Sequence, residues 1–450
     1  MSSDQMFYTY YYKQGNKILI RYKSNNDPVT KSKVVDFYKP TLYTVTEEET
    51  GLKNIYNQDV KAIEFDSMRD AKVFAEEYKE LPEIGICGNS DYANQFMIEL
   101  FEGKTPDYNA DLIRIGMTDI EVHATDGFPD PYEAKYPINA ITTYDSVTKV
   151  FTTLGLEYDG CGGWSKDNVD KKIKDLKVKY IGFMDEESLL RAFLSYVQES
   201  RFDVLTGWHS EGFDVPYIVN RCNKVLGEAY TKKMLSPFNK IDEREVRANF
   251  GQMQTVYNFV GMPHLDYMQI YKKHTYTPRE SYRLDFIGHA ELGEEKLTYD
   301  DYGDLQDLYE KNYQLFIDYN IRDVDIIKRL DEKLGLMSLI YAMSYYSLCN
   351  FEDTMGTVKI WEKLVAKFLY SKNVVPPFRR EKIIEEREFE GAYVKEPIKG
   401  FHDWVVSYDL NSLYPHIEQQ WNIGPETHVP INIFKEKALE EINERLKDFD

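Results

Sequence analysis

Cysteine is scarce in this 450-residue sequence, which contains only four. No two of the four lie close enough together to form a paired zinc-binding motif, so a structural zinc site of that kind is excluded. Reduced and mostly buried thiols are expected instead, at Cys87, Cys161, Cys222 and Cys349.

Long hydrophobic runs are also missing. No window approaches 18 uninterrupted apolar residues, so we expect no membrane-spanning helix and no membrane partner. The first residues, 1–5, lack the basic and apolar regions of a secretory signal peptide. A cytoplasmic location is therefore expected.

Positive charge is in deficit, with 55 Lys and Arg against 76 Asp and Glu and a formal net charge of −21. Such a chain as a whole repels polyanions. If its substrate is a nucleic acid, contact must come from local basic clusters and from metal ions held by carboxylates.

The remaining composition, 42% hydrophobic and 29% charged, is typical of a globular protein, and the length predicts two or three domains. The first hundred residues are rich in β-forming residues. From about residue 110 the pattern changes to alternating strands and helices. Before residue 210 the predicted elements are a hairpin of strands 7–12 and 18–22, a helix after Ser67, strands 112–122, 140–144 and 150–154, a helix over 186–197 and a strand over 204–208.

The second half of the chain is predicted to be mainly helical. Pro376 and Pro377, followed by basic residues, mark a linker. The elements predicted here are a β-hairpin over 243–260, helices over 305–334 and 353–370, a strand over 404–410 and a charged helix over 435–446.

Asp119 and Glu121 form the first candidate site. They are two residues apart on a predicted strand, so the pleat directs both side chains to the same face. Two carboxylates this close repel each other unless a cation lies between them, which favours a divalent metal site. The alternative is a solvated strand end.

Two further acidic positions stand out. Asp214 lies in an otherwise apolar stretch, where a buried carboxylate needs a partner such as a metal ion, a backbone N–H or an arginine. Tyr319 and Asp323 are four residues apart on a predicted helix, and therefore on one face, where a phenol and a carboxylate can orient a water molecule. Tyr and Asp at this spacing also occur often by chance.

The order of these residues is more informative than any one of them. An Asp-x-Glu pair, a later Asp and a final Tyr-x3-Asp resemble the proofreading 3′ to 5′ exonuclease of the DEDD type with a tyrosine, found in family B DNA polymerases. Residues 407–415 read SYDLNSLYP, which is similar to the first palm motif of that family. Residues 391–397 resemble the short segment that joins exonuclease and palm in the family. Three further segments resemble its T-even-type phage members in particular: 38–40, 126–131 and 137–142.

The resemblance implies an α/β and α+β multidomain protein. We expect a β-rich N-terminal domain at 1–110, with 337–380 packing back on it. A ribonuclease H-like exonuclease domain with a mixed central sheet is expected at 111–336, and the truncated beginning of the polymerase palm at 381–450.

The resemblance also implies roles for the exonuclease residues. Asp119 would bridge two Mg²⁺ or Mn²⁺ ions, Glu121 and Asp323 would hold the ion that carries the attacking water, and Asp214 would serve the second ion. Tyr319, with Glu121, would orient that water. The substrates would be primer-template DNA and single-stranded DNA 3′ ends, in the host cytoplasm if the protein is phage-encoded.

In the palm motif, Asp409 would be a metal ligand and the Leu410 carbonyl another. Ser412 and Leu413 would offer backbone N–H groups to the incoming dNTP, and Tyr414 would lie under its sugar and exclude a 2′-hydroxyl. These roles need the fingers, the rest of the palm and the thumb, from a second polymerase chain or a longer protein. For residues 1–450 alone we expect no templated synthesis.

Two other functions remain open at this point. A free-standing DEDD-type exonuclease would explain the carboxylates and leave the palm motif unexplained. A binding module is the other, because T-even-type members bind RNA through the N-terminal region.

Two features of the exonuclease region also stay open. The predicted hairpin near 246–260 is either a device that separates the primer end or an ordinary extension of the sheet. His209 stands where the middle exonuclease motif of the family usually has Asn. Whether His209 takes over the supporting role of that Asn stays open, and the role assigned to Asp214 does not depend on it.

Overall fold

The structure is a computed structural model, and it describes residues 6–78, 81, 84–124, 127–247, 253–294, 297, 302, 305–378, 391–424 and 427. The chain divides into two compact units, residues 1–381 and 382–450, which are described separately.

The first unit begins with a strand-rich region. Its elements are β1 (Met6–Gln14), β2 (Lys17–Ser24), β3 (Asp27–Val35), β4 (Thr41–Val45), β5 (Lys53–Asn54), β6 (Val60–Glu64), α1 (Met68–Tyr78) and α2 (Tyr92–Leu100). β1, β2 and β3 form an antiparallel sheet, so the hairpin predicted at the N-terminus is confirmed. Gly15 supplies the positive φ, 59°, that its tight turn requires.

The rest of this unit alternates strands and helices. Its elements are β7 (Ile115–Val122), β8 (Ile138–Asp145), β9 (Val150–Leu156), β10 (Val178–Phe183), α3 (Glu186–Ser200), β11 (Val204–Gly207), α4 (Asp214–Leu226), α5 (Glu228–Leu235), β12 (Ile241–Arg247), β13 (Met253–Phe259), β14 (His264–Asp266), α6 (Tyr267–His274), α7 (Leu284–Leu292), α8 (Leu305–Lys311), α9 (Tyr313–Leu334), α10 (Leu336–Ser347), α11 (Thr357–Ser371) and β15 (Val374–Val375). None of the helices that the structure describes is both long enough and apolar enough to cross a bilayer.

A six-stranded mixed sheet organises this region, in the order β10-β9-β8-β7-β11-β14. β7 and β9 are both antiparallel to β8 between them, and β10, β11 and β14 extend the sheet by parallel pairing. The predicted α/β class with a mixed central sheet is thereby confirmed.

The two faces of β7 belong to different hydrophobic cores. Met117 packs in the core that includes Ile321 and Val324 of α9. Ile120 packs in the other core, with apolar residues of α3 and α4. Because side chains alternate along a strand, Asp119 and Glu121 share the face of Met117, which is covered by α9.

Segment 344–350 contacts the N-terminal sheet. The Tyr8 hydroxyl donates to the Cys349 carbonyl at 2.8 Å, and the Tyr345 hydroxyl donates to the Tyr8 carbonyl at 2.7 Å. The Asn350 side chain accepts from the Tyr11 N–H at 2.9 Å and donates to its carbonyl at 2.8 Å.

The single helix predicted over 305–334 is wrong, because it is two helices separated at Asn312. That side chain caps α9 by accepting from the Leu315 N–H at 3.1 Å, and it donates to the Tyr302 hydroxyl at 2.9 Å. An asparagine that finds both partners favours a new helix start over continuation.

The predicted helix over 353–370 also starts differently. A 3-10 turn, Glu352–Met355, precedes Gly356, and α11 follows. Its apolar positions Val358, Trp361 and Phe368 are exposed, whereas Lys363 is buried and paired with Asp91.

The second unit contains one described helix, α12 (Leu413–Trp421). The strand predicted over 404–410 is wrong for the described residues, which have no regular secondary structure there. A strand needs a neighbour for its backbone groups, and residues 391–424 contain no other strand. The helix predicted over 435–446 lies outside the described residues.

Candidate metal centre

Three carboxylates meet on the α9 face of the central sheet. Asp119 and Glu121 come from β7, and Asp323 comes from the middle of α9. One carboxylate oxygen from each lies within 4.8 Å of the others. Opposite ligands of one Mg²⁺ lie about 4 Å apart and those of one Ca²⁺ about 5 Å, so the three oxygens span the coordination shell of a single divalent ion.

Asn320 lies one helical turn before Asp323 and contacts the same cluster. It is fully buried, and its Nδ2 donates to Asp119 Oδ2 at 2.8 Å. Tyr319, which is 8% exposed, precedes it on α9. Asn320 was missed from the sequence, although its spacing from Asp323 places both on one helix face.

Asp214 lies outside the three-carboxylate cluster but close to it. As the first residue of α4 it is buried, and its Oδ1 accepts from the Ile120 N–H at 3.1 Å, so one of the three kinds of partner considered from the sequence, a backbone N–H, is present. Burial, with the nearby carboxylates Asp266 and Asp323, raises the pKa of Asp214 to about 7. Such a group is stabilised in its ionised form by a cation.

The loop that leads to Asp214 has unusual backbone requirements. Gly207 ends β11, and a Cβ there would lie 2.5 Å from the Thr118 carbonyl oxygen, so only glycine lets the loop leave the sheet so close to β7. His209 follows with a left-handed φ of 57°. Asparagine and histidine are both enriched in that conformation, so His209 suits the backbone at the position where the family usually has Asn.

The first and last residues of β14, His264 and Asp266, both form hydrogen bonds to this loop. Asp266, which is 5% exposed, accepts from the Glu211 N–H at 3.1 Å and caps α6 through the Met268 and Gln269 N–H groups. Burial raises the pKa of Asp266 to about 6. Neither β14 residue was selected from the sequence, because their partners lie more than 50 residues away.

At the other end, His264 Nε2 is 2.8 Å from the Ser210 hydroxyl. Burial lowers the pKa of His264 to about 4, so the imidazole is neutral in the folded protein at pH 6.5 and protonates in the unfolded chain.

The protein should therefore lose stability through His264 as the pH falls. The contribution is fully present above pH 6.5 and is lost progressively between pH 6.5 and about 4, because the unfolded chain binds the proton first. In His264→Gln this contribution is absent. Urea denaturation at several pH values should show the parent approaching the variant in stability, or falling below it, over that interval. A difference that stays constant with pH would contradict the assignment.

Two aromatic rings lie beside the site. Phe128 is 84% exposed, and its ring centroid is 5.2 Å from that of Phe213, the residue before Asp214. An exposed ring supported by another ring offers a surface on which a nucleobase can stack. Phe128 belongs to segment 126–131, which resembles the T-even-type phage enzymes, but no role for its ring was predicted from the sequence.

The palm-motif residues lie in the second unit. Asp409 and Leu410 are in the irregular segment before α12, and Ser412 is its N-cap with a left-handed φ of 53°. Leu413 and Tyr414 begin the helix, whose first-turn N–H groups have no intrahelical partner.

The sequence matches the exonuclease domain of DNA polymerase family B over residues 71–287 and a second model of DNA polymerase family B over residues 353–448. The DNA-directed DNA polymerase of Escherichia phage RB69 is 35% identical over 431 residues, and that of Enterobacteria phage T4 is 33% identical over 429. Each alignment covers 92% of this chain and 46% of the relative.

A more distant relative is DNA polymerase 1 of Sulfurisphaera ohwakuensis, 26% identical over 350 residues, an alignment that covers 73% of this chain and 36% of that protein. The chain thus spans about half the length, or less, of the curated relatives it matches. The polymerase match argues against a free-standing exonuclease. This chain belongs to the family B DNA polymerases and contains their exonuclease domain and the start of their polymerase domain.

Proposed function

We propose that this chain carries a proofreading exonuclease that hydrolyses the last phosphodiester bond at the 3′ end of single-stranded DNA with the help of two divalent ions. The observation that carries the proposal is the meeting of Asp119, Glu121 and Asp323 within 4.8 Å. Their donor set consists of carboxylate oxygens, which suits Mg²⁺ or Mn²⁺.

The residues fit two ions better than one. Asp119, Glu121 and Asp323 together span the coordination shell of one ion. Asp214 lies near them, and one of its oxygens accepts from the Ile120 N–H of β7. Its raised pKa shows that its ionised form is unfavourable without a cation nearby. Asp119 would contribute to both ions, Glu121 and Asp323 to the first, and Asp214 to the second. When bound, such ions activate water and stabilise the charge of the leaving oxygen.

Side chains of the protein would orient the attacking water. Tyr319 precedes Asp323 by one helical turn, so we assign its phenol, with Glu121, the task of orienting the attacking water. Burial of this part of α9 limits the positions that a water can take.

The exonuclease is tested with a 5′-labelled single-stranded oligonucleotide. With Mn²⁺ we expect a ladder of products shortened one nucleotide at a time from the 3′ end, and with EDTA we expect none. Internal cuts, or equal degradation in EDTA, would contradict the proposal.

Phe128→Ala should weaken binding of single-stranded DNA. Stacking of a base on an aromatic ring is worth about 1–3 kcal/mol, so the loss corresponds to roughly 5- to 150-fold in affinity or KM. The measurement is KM for a short single-stranded oligonucleotide, with kcat recorded in parallel. Phe37→Ala is the matched control, because Phe37 is 90% exposed and lies in the N-terminal region. An unchanged KM in Phe128→Ala would remove this role.

We also propose that DNA synthesis needs polypeptide beyond these 450 residues, whether in the same chain or in a second one. In this proposal Asp409 and the Leu410 carbonyl hold metal, Ser412 and Leu413 offer N–H groups to the triphosphate, and Tyr414 excludes a 2′-hydroxyl. Nucleotide addition by two metal ions needs a further carboxylate and cationic groups for the triphosphate.

Residues 1–450 alone should therefore incorporate no dNTP on a primed template. Addition of a polypeptide that matches the remaining part of the relatives should restore incorporation. Asp409→Ala should abolish the restored synthesis and leave the exonuclease unchanged. Incorporation by the isolated chain would overturn this proposal.

Two smaller proposals concern the N-terminal region and the hairpin. Binding of RNA by residues 1–110 stays a prediction that filter binding would test. The hairpin β12–β13 is antiparallel as predicted, and its turn lies outside the described residues. Its role in separating the primer end also stays a prediction.

A further inference from the structure

Asn320 is a neutral polar side chain in direct contact with the candidate metal centre. Its Nδ2 lies 2.8 Å from Asp119 Oδ2, while its own carbonyl oxygen has no hydrogen-bond partner among the described residues. Burying an amide oxygen without a partner is costly. Because the residue is fully buried in α9, the hydrogen bond to Asp119 is the interaction that explains an amide at this position.

The orientation of this amide follows from chemistry. An ionised carboxylate only accepts hydrogen bonds, so the nitrogen of Asn320 must face Asp119. Each carboxylate oxygen has two lone pairs, so Asp119 Oδ2 can accept this bond and still bind a metal ion. Helix geometry places Asn320 on the same face as Asp323, so one rigid element fixes both.

We propose that Asn320 is a positioning residue of the exonuclease: its hydrogen bond fixes the rotation of the Asp119 carboxylate, so that the carboxylate already has its ligand orientation before the ions bind. The inference rests on the proposed metal-dependent function.

A neutral donor is suited to this task. Asp119, Glu121 and Asp323 repel one another in the absence of metal, and a hydrogen bond to the charged form of one of them offsets part of that repulsion. A lysine or arginine would do so more strongly, but its charge would compete with the ions. Partners of this kind typically account for 10- to 100-fold in metal affinity.

The test is Mn²⁺ binding to the DNA-free protein, followed by electron paramagnetic resonance. Asn320→Leu keeps the approximate volume and removes the donor, and we expect Mn²⁺ to bind about 10- to 100-fold more weakly. Hydrolysis of single-stranded DNA should recover at high Mn²⁺, because the metal ligands are intact. Unchanged Mn²⁺ affinity in a folded Asn320→Leu protein would overturn the inference.

Two controls separate the possible failures. Asn94→Leu is the matched variant, because Asn94 is 1% exposed in a helix and donates to the Leu348 carbonyl of the same unit. It should lower the melting temperature and leave Mn²⁺ affinity unchanged. Asp119→Ala should abolish tight Mn²⁺ binding; if it does not, the metal site itself is wrong, whereas failure of Asn320→Leu alone removes only the positioning role.

If Asn320→Leu does not fold, Asn320→Ala is measured in the same way. Equal losses of Mn²⁺ affinity in Asn320→Ala and Asn94→Leu would contradict the inference, since both would then reflect general loosening of the fold.

Discussion

Asp119→Ala and Asp323→Ala should each lower the rate of 3′ hydrolysis of single-stranded DNA by about 10³-fold or more. Ion-assisted catalysis contributes several kcal/mol to the transition state, and each 1.4 kcal/mol is a factor of ten in rate. Loss of either carboxylate removes one side of a cluster whose oxygens lie within 4.8 Å. The measurement is single-turnover degradation of a labelled oligonucleotide at saturating Mn²⁺.

Stability separates this effect from unfolding. Removal of one of three neighbouring negative charges relieves repulsion, so the melting temperature of Asp323→Ala without metal should equal or exceed that of the parent. Asp119→Ala also leaves the buried Asn320 amide without its acceptor, so its melting temperature without metal should be lower than that of Asp323→Ala. Mn²⁺ should raise the melting temperature of the parent, because a ligand that binds the folded state stabilises it, and should no longer do so in the variants. Asp167→Ala, at an exposed carboxylate, is the control. Equal rates in variant and parent would refute the site.

Asp203→Asn should lower the free energy of unfolding by about 3–5 kcal/mol. Asp203 is fully buried between the N-terminal sheet and β11, and it accepts from Lys23 Nζ at 2.7 Å, Thr30 Oγ1 at 2.7 Å and the Arg114 N–H at 2.8 Å. Arg21, 3% exposed, lies 3.9 Å away. Without the carboxylate, two buried cations lose their counter-charge.

The change is measured by urea denaturation. The double variant Asp203→Asn with Lys23→Met should regain part of the loss, because one buried cation is removed with its partner. Asp27→Asn is the matched control: Asp27 pairs with Lys31 at the surface, at 2.7 Å, and its loss should leave stability within experimental error. Arg21 and Lys23 also donate to the Phe202 and Leu112 carbonyls, respectively. An effect at Asp203 as small as that at Asp27 would show that these carbonyls satisfy the two cations without the carboxylate.

The central sheet could be predicted from the sequence because each of its signals is local. Alternation of apolar residues sets the faces of β7, and the same alternation directs Asp119 and Glu121 together. Helical spacing likewise brings Tyr319 and Asp323 to one face of α9. The fold brings Asp119, Glu121 and Asp323 together, and their role as metal ligands stays a prediction.

The residues that were missed depend on distant partners. Asp266 acquires its role only where β14 lies beside the loop at Glu211, and Asn312 breaks a helical pattern because Tyr302 and the Leu315 N–H satisfy its side chain. The strand predicted over 404–410 was wrong because a local pattern was present without a partner for it. Its apolar pattern is clear, but residues 391–424 supply no neighbouring strand.

The carboxylate cluster joins parts of the chain that are far apart in sequence, since Asn320 and its partner Asp119 are 201 residues apart. A ribosome adds about 5–20 residues per second, so roughly 10 to 40 s pass between the synthesis of the two. During that interval a nascent chain would have only the β7 part of the candidate metal centre and could not yet carry out the proposed hydrolysis. The proposed nuclease activity would therefore begin only after α9 has left the ribosome and packed on the finished sheet.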